Sequence, residues 1–203
     1  MPEFRVYIIT DLRLFPSAAR MLRRIDAVLG HVPARGAAVC LRENGIDDAY
    51  LYRLALDLRE LTAGRRALLL VSRRIDVAMA CGADGVHLGA RTVGIDDARK
   101  LMPRGLVGYS AHGSGEAMSA FQRGAHFVTI SPLFHSPGKG KPIGLEGLRR
   151  TARRCKGRPV FALGGVGPSN IEAVLGEGAW GAAFIRAALT SPRPERLFKA
   201  IFP

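Results

Sequence analysis

The chain has 203 residues, of which 48% are apolar, enough for one substantial core but too few for two ordinary α/β domains. Thirty basic against seventeen acidic residues give a formal net charge of +13, yet the basic residues occur singly or in pairs without a nucleic-acid-binding motif, which favours anionic small molecules over nucleic acid as partners. Neither a signal-peptide pattern nor an apolar run near the roughly 20 residues of a membrane span is found, which predicts a cytoplasmic protein without a membrane partner.

Short apolar segments alternate with helical patterns along the whole chain, which is typical of repeated βα units around a parallel sheet. Strands are predicted at Val6–Thr10, Ala37–Leu41, Ala67–Val71, Gly85–Leu88, Leu106–Ser110, Phe127–Ser131, Val160–Leu163 and Ala182–Ile185. Helices are predicted at Ser17–Leu29, Asp47–Ala63, Arg74–Cys81, Ile95–Leu101, Gly115–Arg123, Leu145–Lys156, Pro168–Glu177 and Pro194–Ile201. Eight such units close into a (β/α)₈ TIM barrel, predicted as a single domain over residues 1–203. An open doubly wound sheet is the alternative, although no G-x-G-x-x-G loop follows the first strand.

Charged residues follow the first two predicted strands. Asp11 comes after the first strand, and Arg42 and Glu43 come after the second. Active sites of TIM barrels are built from the loops after the strands, and arginine suits bidentate recognition of phosphate or carboxylate. We therefore expect Arg42 to bind substrate. A simple rim ion pair is the alternative for Arg42 and Asp11 alike.

The fourth and fifth strands bring two histidines to the barrel. Gly108, Ser110 and His112 share one face of the fifth strand by its period of two, which places His112 over the mouth. A histidine there can transfer a proton near neutral pH, so His112 is a candidate catalytic acid or base, with a structural hydrogen-bonding role as the alternative. His87 lies inside the fourth strand, where a structural, hydrogen-bonded histidine is the better interpretation.

A basic loop from Phe134 to Gly144 follows the sixth strand and contains Lys139. Loops at this end of a barrel carry function, so a lid that brings Lys139 to the substrate is a candidate feature. The alternative is a plain surface loop.

Glycines follow the seventh strand at Gly164 and Gly165, and Ile185 and Arg186 follow the eighth. TIM barrels commonly bind phosphate at these two loops, because glycine lets backbone N–H groups approach the anion. We predict that Gly164, Gly165 and the Ile185 amide bind phosphate, with Arg186 close by. The alternative is that the glycines only make a tight turn.

Motifs for other chemistry are missing from the sequence. No His, Cys, Asp or Glu cluster has metal-ligand spacing, and neither a Walker loop nor a G-x-S-x-G motif occurs. Cys40, Cys81 and Cys155 are odd in number and widely spaced, which predicts free thiols. We expect neither a metal nor a cofactor.

Six segments, in their order and spacing, resemble the thiamin phosphate synthase and TenI-type family over essentially the whole chain. The segments are Tyr7-Ile8-Ile9-Thr10-Asp11, Leu41-Arg42-Glu43, Ala83-Asp84-Gly85-Val86-His87-Leu88-Gly89, Gly108-Tyr109-Ser110-Ala111-His112, Gly144-Leu145 and Leu163-Gly164-Gly165-Val166. The resemblance implies a TIM barrel with a site for a phosphorylated thiazole, often assembled as a homodimer.

The synthase branch of that family couples a pyrimidine pyrophosphate to thiazole phosphate, using Mg²⁺ held by aspartates after the third and fourth strands. Here Arg73 replaces one aspartate, and Ala90-Arg91-Thr92 replaces a segment similar to Gln-Glu-Asp. Without acidic ligands a hard cation loses its oxygen donors, and arginines in their place would repel it. Mg²⁺ is expected only if the chain is nevertheless a synthase.

Three further positions depart from the synthase pattern. Asn44 stands where that branch has a lysine, and Cys40 where it has a glutamine. In the loop after the sixth strand only a hydroxyl, Ser136, and Lys139 are retained. The resemblance therefore favours the other branch.

The TenI-type branch aromatises the carboxylate tautomer of thiazole phosphate by moving a proton, and this tautomerase reaction is our first hypothesis. The resemblance assigns the proton transfer to His112. In this hypothesis phosphate is bound by Gly164, Gly165, Ile185 and Arg186, and the other substrate contacts are made by Arg42, Ser110, Ser136 and Lys139. One alternative is a divergent synthase in which Arg73 and Arg91 neutralise pyrophosphate. The other is a catalytically silent barrel that only binds a metabolite of the thiamin pathway.

Overall fold

A computed structural model describes residues 2–136 and 138–202 of the chain; Pro137, in the predicted basic loop, and the two terminal residues lie outside the described residues. Eight parallel strands form a closed barrel in chain order, with the eighth paired to the first. The strands are β1 Val6–Ile9, β2 Ala37–Leu41, β3 Leu68–Ser72, β4 Gly85–Leu88, β5 Leu106–Ala111, β6 Phe127–Ile130, β7 Val160–Leu163 and β8 Gly181–Phe184. The predicted (β/α)₈ barrel is confirmed, and the open sheet is excluded.

Helices surround the barrel and bury one face each against the strands. They are α1 Ala18–Leu29, α2 Asp48–Gly64, α3 Ile75–Ala80, α4 Ile95–Leu101, α5 Ser114–Gln122, α6 Gly144–Arg154, α7 Ile171–Gly176, α8 Arg186–Leu189 and α9 Glu195–Lys199. The first helix is representative, because Met21, Ile25 and Val28 recur at helical spacing and are fully buried. Ser17 begins it by accepting a hydrogen bond from the Arg20 amide.

Aromatic rings fill the lower half of the barrel lumen. Phe4 lies 5.1 Å from Phe161 and 5.3 Å from Phe127, measured between ring centroids, and Tyr7 lies 5.3 Å from Phe127. All four side chains are fully buried. Gly108 makes room for them, since a Cβ there would lie 2.3 Å from Phe127 and 2.7 Å from the His87 ring. The lumen is therefore packed by aromatic rings at its amino-terminal end, while the polar side chains of His87 and Ser110 lie nearer the carboxyl ends of their strands.

Strand ends differ from the prediction by at most one residue. Thr10 and Ser131 still donate backbone hydrogen bonds to the neighbouring strand, to Cys40 O at 3.0 Å and Ala111 O at 3.2 Å, but lie beyond the last paired residues. The third strand starts and ends one residue later than predicted, and the fifth runs on to Ala111.

The helix predictions need larger corrections. The seventh helix begins at Ile171 and not at Pro168, because the Asn170 side chain holds a turn by accepting from Gly167 N (2.9 Å) and donating to Gly165 O (3.0 Å). A 3-10 helix at Leu12–Leu14 and the helix α8 were both missed. Each has fewer than five residues, which is too short for a helical period to appear in the sequence.

Two composition-based expectations can be compared with the structure. The three cysteines are buried and free. Among the described residues, no helix has both the length and the apolar character needed to cross a bilayer.

Candidate active site at the barrel mouth

The predicted site residues lie on the loops and strand ends at the carboxyl end of the barrel. Ser110 is near the end of β5 and His112 directly follows it, while Arg42 follows β2. The two phosphate loops follow β7 and β8, which are neighbours in the barrel and therefore bring Gly164 and Ile185 to the same sector of the mouth.

The loop after β7 requires glycine at two successive positions. Gly164 and Gly165 have φ angles of +99° and +68°, where residues with a side chain are strained. A Cβ on Gly164 would lie 3.1 Å from Pro132 Cα, and one on Gly165 would lie 2.7 Å from Phe134 Cβ. The glycines thus make the turn and also let the loop after β6 pack against it.

Four backbone N–H groups in this sector have no acceptor within the described part of the chain: those of Gly164, Gly165, Ile185 and Arg186. Gly165 and Arg186 are exposed, and the other two are half-buried. Unpaired backbone N–H groups in neighbouring loops form the kind of surface that binds an anion. This geometry agrees with the predicted phosphate site, although the phosphate contact itself stays a prediction.

The loop after β6 is fastened to the glycine loop. Leu133 N donates to Leu163 O at 2.8 Å, and Phe134 N donates to Gly164 O at 2.9 Å. The Ser136 hydroxyl lies only 3.1 Å from the position of a Cβ on Gly164, so the structure brings Ser136 to the predicted phosphate site. Lys139 is exposed, and only its backbone is fixed, by a 3.1 Å hydrogen bond to Ser136 O.

Arg42 lies above the polar end of the lumen. Its backbone N–H donates to Thr10 Oγ1 at 2.9 Å, and its side chain is half-buried. Its charge contributes, after burial, to the lowered pKa of His87 on β4. Among residues 2–136 and 138–202, no carboxylate pairs with Arg42.

Both carboxylates at the rim beside Arg42 have local partners. Asp11 accepts two hydrogen bonds from the Arg13 side chain, at 2.8 and 2.9 Å, and these lower the pKa of Asp11. Glu43 accepts from Leu12 N at 3.1 and 2.9 Å, and burial raises its pKa. The ion-pair alternative therefore describes Asp11, and Glu43 anchors the 3-10 helix after β1.

His112 is held through one of its two ring nitrogens. Its Nδ1 lies 2.9 Å from Ser131 O, and because a carbonyl can only accept, Nδ1 carries the hydrogen. The neutral ring then has a lone pair on Nε2, for which no partner occurs among the described residues. The side chain is exposed, so Nε2 is available to a ligand as a base.

A chain of hydrogen bonds crosses the lumen beneath this point. Tyr7 Oη lies 3.0 Å from His87 Nδ1, and His87 Nε2 lies 2.9 Å from Ser110 Oγ. Burial, with a contribution from the Arg42 charge, lowers the pKa of His87 to about 3. Burial also raises the pKa of Tyr7 well above its usual value. These two hydrogen bonds agree with the structural interpretation of His87.

The ends of β3 and β4 do not supply ligands for a divalent cation. Arg73 is exposed with a φ of +69°, and it lines a cavity of about 220 Å³ together with Glu43 and Ser72. Arg74 is paired with Asp76 and Asp48. No group of three or more His, Cys, Asp or Glu within the described ranges could hold a metal. The donor set therefore does not fit the Mg²⁺ that the resemblance implies for a synthase.

The sequence indicated most of these polar groups but not their hydrogen-bond partners. It did not foresee that Thr10 bonds the Arg42 amide or that Tyr7, His87 and Ser110 form one chain. Strand parity is the signal that was available, because the three residues of the chain all take inward positions on their strands. Strand parity does not tell which side chains meet across a barrel, so these contacts could be identified only from the closed structure.

Comparison with known proteins gives a consistent result. The chain matches the family model described as thiamine monophosphate synthase over residues 6–188. It is 38% identical over 203 residues to a putative thiamine-phosphate synthase of Geobacter sulfurreducens, with 98% of this chain and 93% of that protein covered. It is also 38% identical to the thiamine-phosphate synthase of Gloeobacter violaceus, with 96% of this chain but only 61% of that longer protein covered. Among solved structures, a thiamine phosphate pyrophosphorylase from Pyrococcus furiosus matches with a TM-score of 0.83 at 30% identity, over 98% of this chain and 94% of that one.

Proposed function

Because the chain belongs to the thiamine monophosphate synthase family, we propose that it acts in thiamin biosynthesis as a synthase that joins a pyrimidine pyrophosphate to a thiazole phosphate and releases pyrophosphate. The names of its relatives support this reaction over the tautomerase hypothesis. The main support for this reaction is that the barrel mouth has two separate sets of groups that can bind anions. One is the group of unpaired backbone N–H groups after β7 and β8. The other is the set of arginines after β2, β3 and β4.

The thiazole phosphate belongs, in this proposal, at the loops after β7 and β8. Gly164, Gly165, Ile185 and Arg186 offer their backbone N–H groups to its phosphate, and the Ser136 hydroxyl is close to Gly164. The ring would then lie toward the centre of the mouth. The role of the protein at this end is to bind and orient.

Arg42, Arg73 and Arg91 would bind the pyrophosphate on the other side of the mouth. The C–O bond to pyrophosphate breaks and its electron pair leaves with the pyrophosphate, while the thiazole ring nitrogen supplies the pair for the new bond to carbon. Negative charge therefore grows on the leaving group, where fixed guanidinium groups stabilise it. Arg42 and Arg73 have no carboxylate partner among the described residues, so their charge is available.

The experiment is turnover of the purified protein with the two substrates, following thiamin phosphate and pyrophosphate together. We expect the two products in equal amounts. Arg73→Ala should weaken the apparent affinity for the pyrimidine pyrophosphate by about tenfold or more, because hydrogen bonds to charged groups are worth roughly 1.5–3 kcal/mol. Arg53→Ala, which removes an exposed arginine on α2, is the matched control and should leave turnover unchanged. Failure to form thiamin phosphate at any substrate concentration would overturn the synthase assignment.

The tautomerase remains a second candidate because of His112. Its Nδ1 is held by Ser131 O, which leaves Nε2 as a base at the mouth, and a proton shift needs no divalent cation. A protein that aromatises the carboxylate tautomer but forms no thiamin phosphate would move this candidate to first place. A protein that does neither, but is stabilised against heat by thiazole phosphate, would be the silent binder.

A further inference from the structure

Arg24, in the middle of α1, is bonded to the segment that carries part of the predicted phosphate site. Its guanidinium donates to the carbonyl of Ala188, 164 residues later in the chain, through Nε at 3.2 Å and through Nη2 at 2.7 Å. Nη2 also donates to Ser191 O. In the part of the chain that the structure describes, no carboxylate forms an ion pair with Arg24. The side chain therefore serves to hold backbone carbonyls of a distant segment.

The segment that Arg24 holds is α8 and the turn that follows it. A helix of four residues is not stable without support from its surroundings. Ala188 is fully buried, and the residue four positions later, whose N–H a longer helix would use, is Pro192, which has none. The Ala188 carbonyl therefore has no helical donor, and Arg24 supplies the donor from outside.

The first residues of the same segment carry two of the amides of the predicted phosphate site. The N–H groups of Ile185 and Arg186 have no acceptor among the described residues, and no side chain caps the first turn of α8. The helix is only about 6 Å long, so a displacement of one end is felt at the other. Because a hydrogen bond weakens steeply when its angle is lost, movement of α8 would misdirect both amides together.

We propose that Arg24 is a positioning residue for phosphate binding: it holds α8 so that the amides of Ile185 and Arg186 are aligned on a phosphoryl group. Its guanidinium does not itself contact the anion, because its hydrogen bonds go to carbonyls beyond the site. The loop after β7 has its own support in the Asn170 side chain, which bonds Gly167 N and Gly165 O. The inference rests on the proposed function in assuming that phosphate binds at these two loops.

The support of α8 can be tested without a ligand. The amides of Leu189 and Thr190 donate to Ile185 O at 2.9 Å and to Arg186 O at 2.8 Å, so their hydrogen-exchange rates report on α8. Arg24→Ala should raise these rates by about tenfold or more, because bonds from a charged donor are lost. Arg23→Ala removes an exposed arginine at the next position of α1 and should leave them unchanged. Unchanged rates in Arg24→Ala would overturn the proposal.

NMR titration with thiazole phosphate and with the alcohol that lacks its phosphate tests the consequence for binding. Arg24→Ala should weaken the affinity for thiazole phosphate by about tenfold and leave that for the alcohol unchanged. Arg23→Ala removes an equal charge and should bind both ligands like the wild-type protein. Equal losses for the two ligands in Arg24→Ala would indicate a general structural role and overturn the proposal.

A milder variant keeps the test decisive if Arg24→Ala does not fold. Arg24→Lys retains the charge and the aliphatic stem but lacks the planar fork that bonds two carbonyls. It should weaken binding of thiazole phosphate by about threefold. An affinity equal to that of the wild-type protein would then overturn the proposal.

The outcomes separate this inference from the proposed function. Binding of thiazole phosphate that depends on Arg24, in a protein that makes no thiamin phosphate, overturns the synthase assignment and supports the role of Arg24. Thiamin phosphate formation with an unchanged affinity for thiazole phosphate in Arg24→Ala overturns the role of Arg24 and supports the synthase. A wild-type protein that binds thiazole phosphate no more tightly than the alcohol overturns the inference as well.

Discussion

Replacing Gly165 by alanine should affect both the stability and the anion affinity of the barrel. The residue has a φ of +68°, and forcing an alanine into that left-handed region costs about 1–2 kcal/mol. The new Cβ would also lie 2.7 Å from Phe134 Cβ and 3.1 Å from His135 O, and such overpacking typically costs about 1–3 kcal/mol. The sum is a loss of about 2–5 kcal/mol in the free energy of unfolding, with the loop after β6 pushed away from the glycine loop.

Gly157 provides the matched control. It has a φ of +75°, but a Cβ there would meet no atom within 4 Å. Gly157→Ala should therefore show only the backbone cost, about 1–2 kcal/mol. Urea unfolding of both variants measures the difference, and calorimetry with a phosphorylated thiazole should show weakened binding in Gly165→Ala alone. Equal losses of stability in the two variants would refute the reasoning, because they would show that the Phe134 loop moves aside at no cost.

Three further perturbations test other parts of the site. If the protein aromatises the thiazole tautomer, His112→Asn should lower that turnover by about 10²–10⁴-fold with little change in product binding; a variant that keeps a large part of the rate would show that His112 is not the proton carrier. The pKa of His87 is lowered to about 3. Between pH 6.5 and 3 the unfolded chain therefore binds a proton that the folded protein does not. The free energy of unfolding then falls as pH falls, by about 1.4 kcal/mol per pH unit. His87→Gln should flatten that slope in urea unfolding measured from pH 7 to pH 5, and an unchanged slope would assign it to other groups, such as His126, whose pKa burial also lowers. Chelation with EDTA should leave the pyrophosphate affinity within about twofold if arginines supply the counter-charge, and a large loss would return a divalent cation to the site.

The barrel could be predicted from the sequence because each strand is indicated by the residues of its own short segment. Each strand is a short apolar run bounded by glycine or polar residues, and the ends of all eight lie within one residue of their predicted places. The exceptions are elements with little local signal, such as α8, which has four residues and a preceding Ile185 that provides no side-chain cap.

The candidate site was predictable residue by residue but not as a set of contacts. Parity predicts that Ser110 and His112 share a face; Ser110 is paired with Thr129 in the β5 register, and His112 follows the last paired residue, Ala111. The hydrogen-bond partners could not be predicted. Tyr7 and His87 are 80 residues apart in sequence and meet only because of the stagger at which the barrel closes. The role of Glu43 in anchoring Leu12 was invisible for the same reason.

The aromatic packing at the base of the barrel has a kinetic consequence. With Phe4, Tyr7, Phe127 and Phe161 sealing the lumen, every molecule that reaches the interior must enter and leave through a single opening. If the chain catalyses the proposed two-substrate reaction, one substrate binds first, nearer the floor of the barrel, and the second then covers it. Initial-rate measurements should then show that the two substrates bind in a fixed order. A saturating analogue of the second substrate should trap the first substrate in the barrel and slow its dissociation.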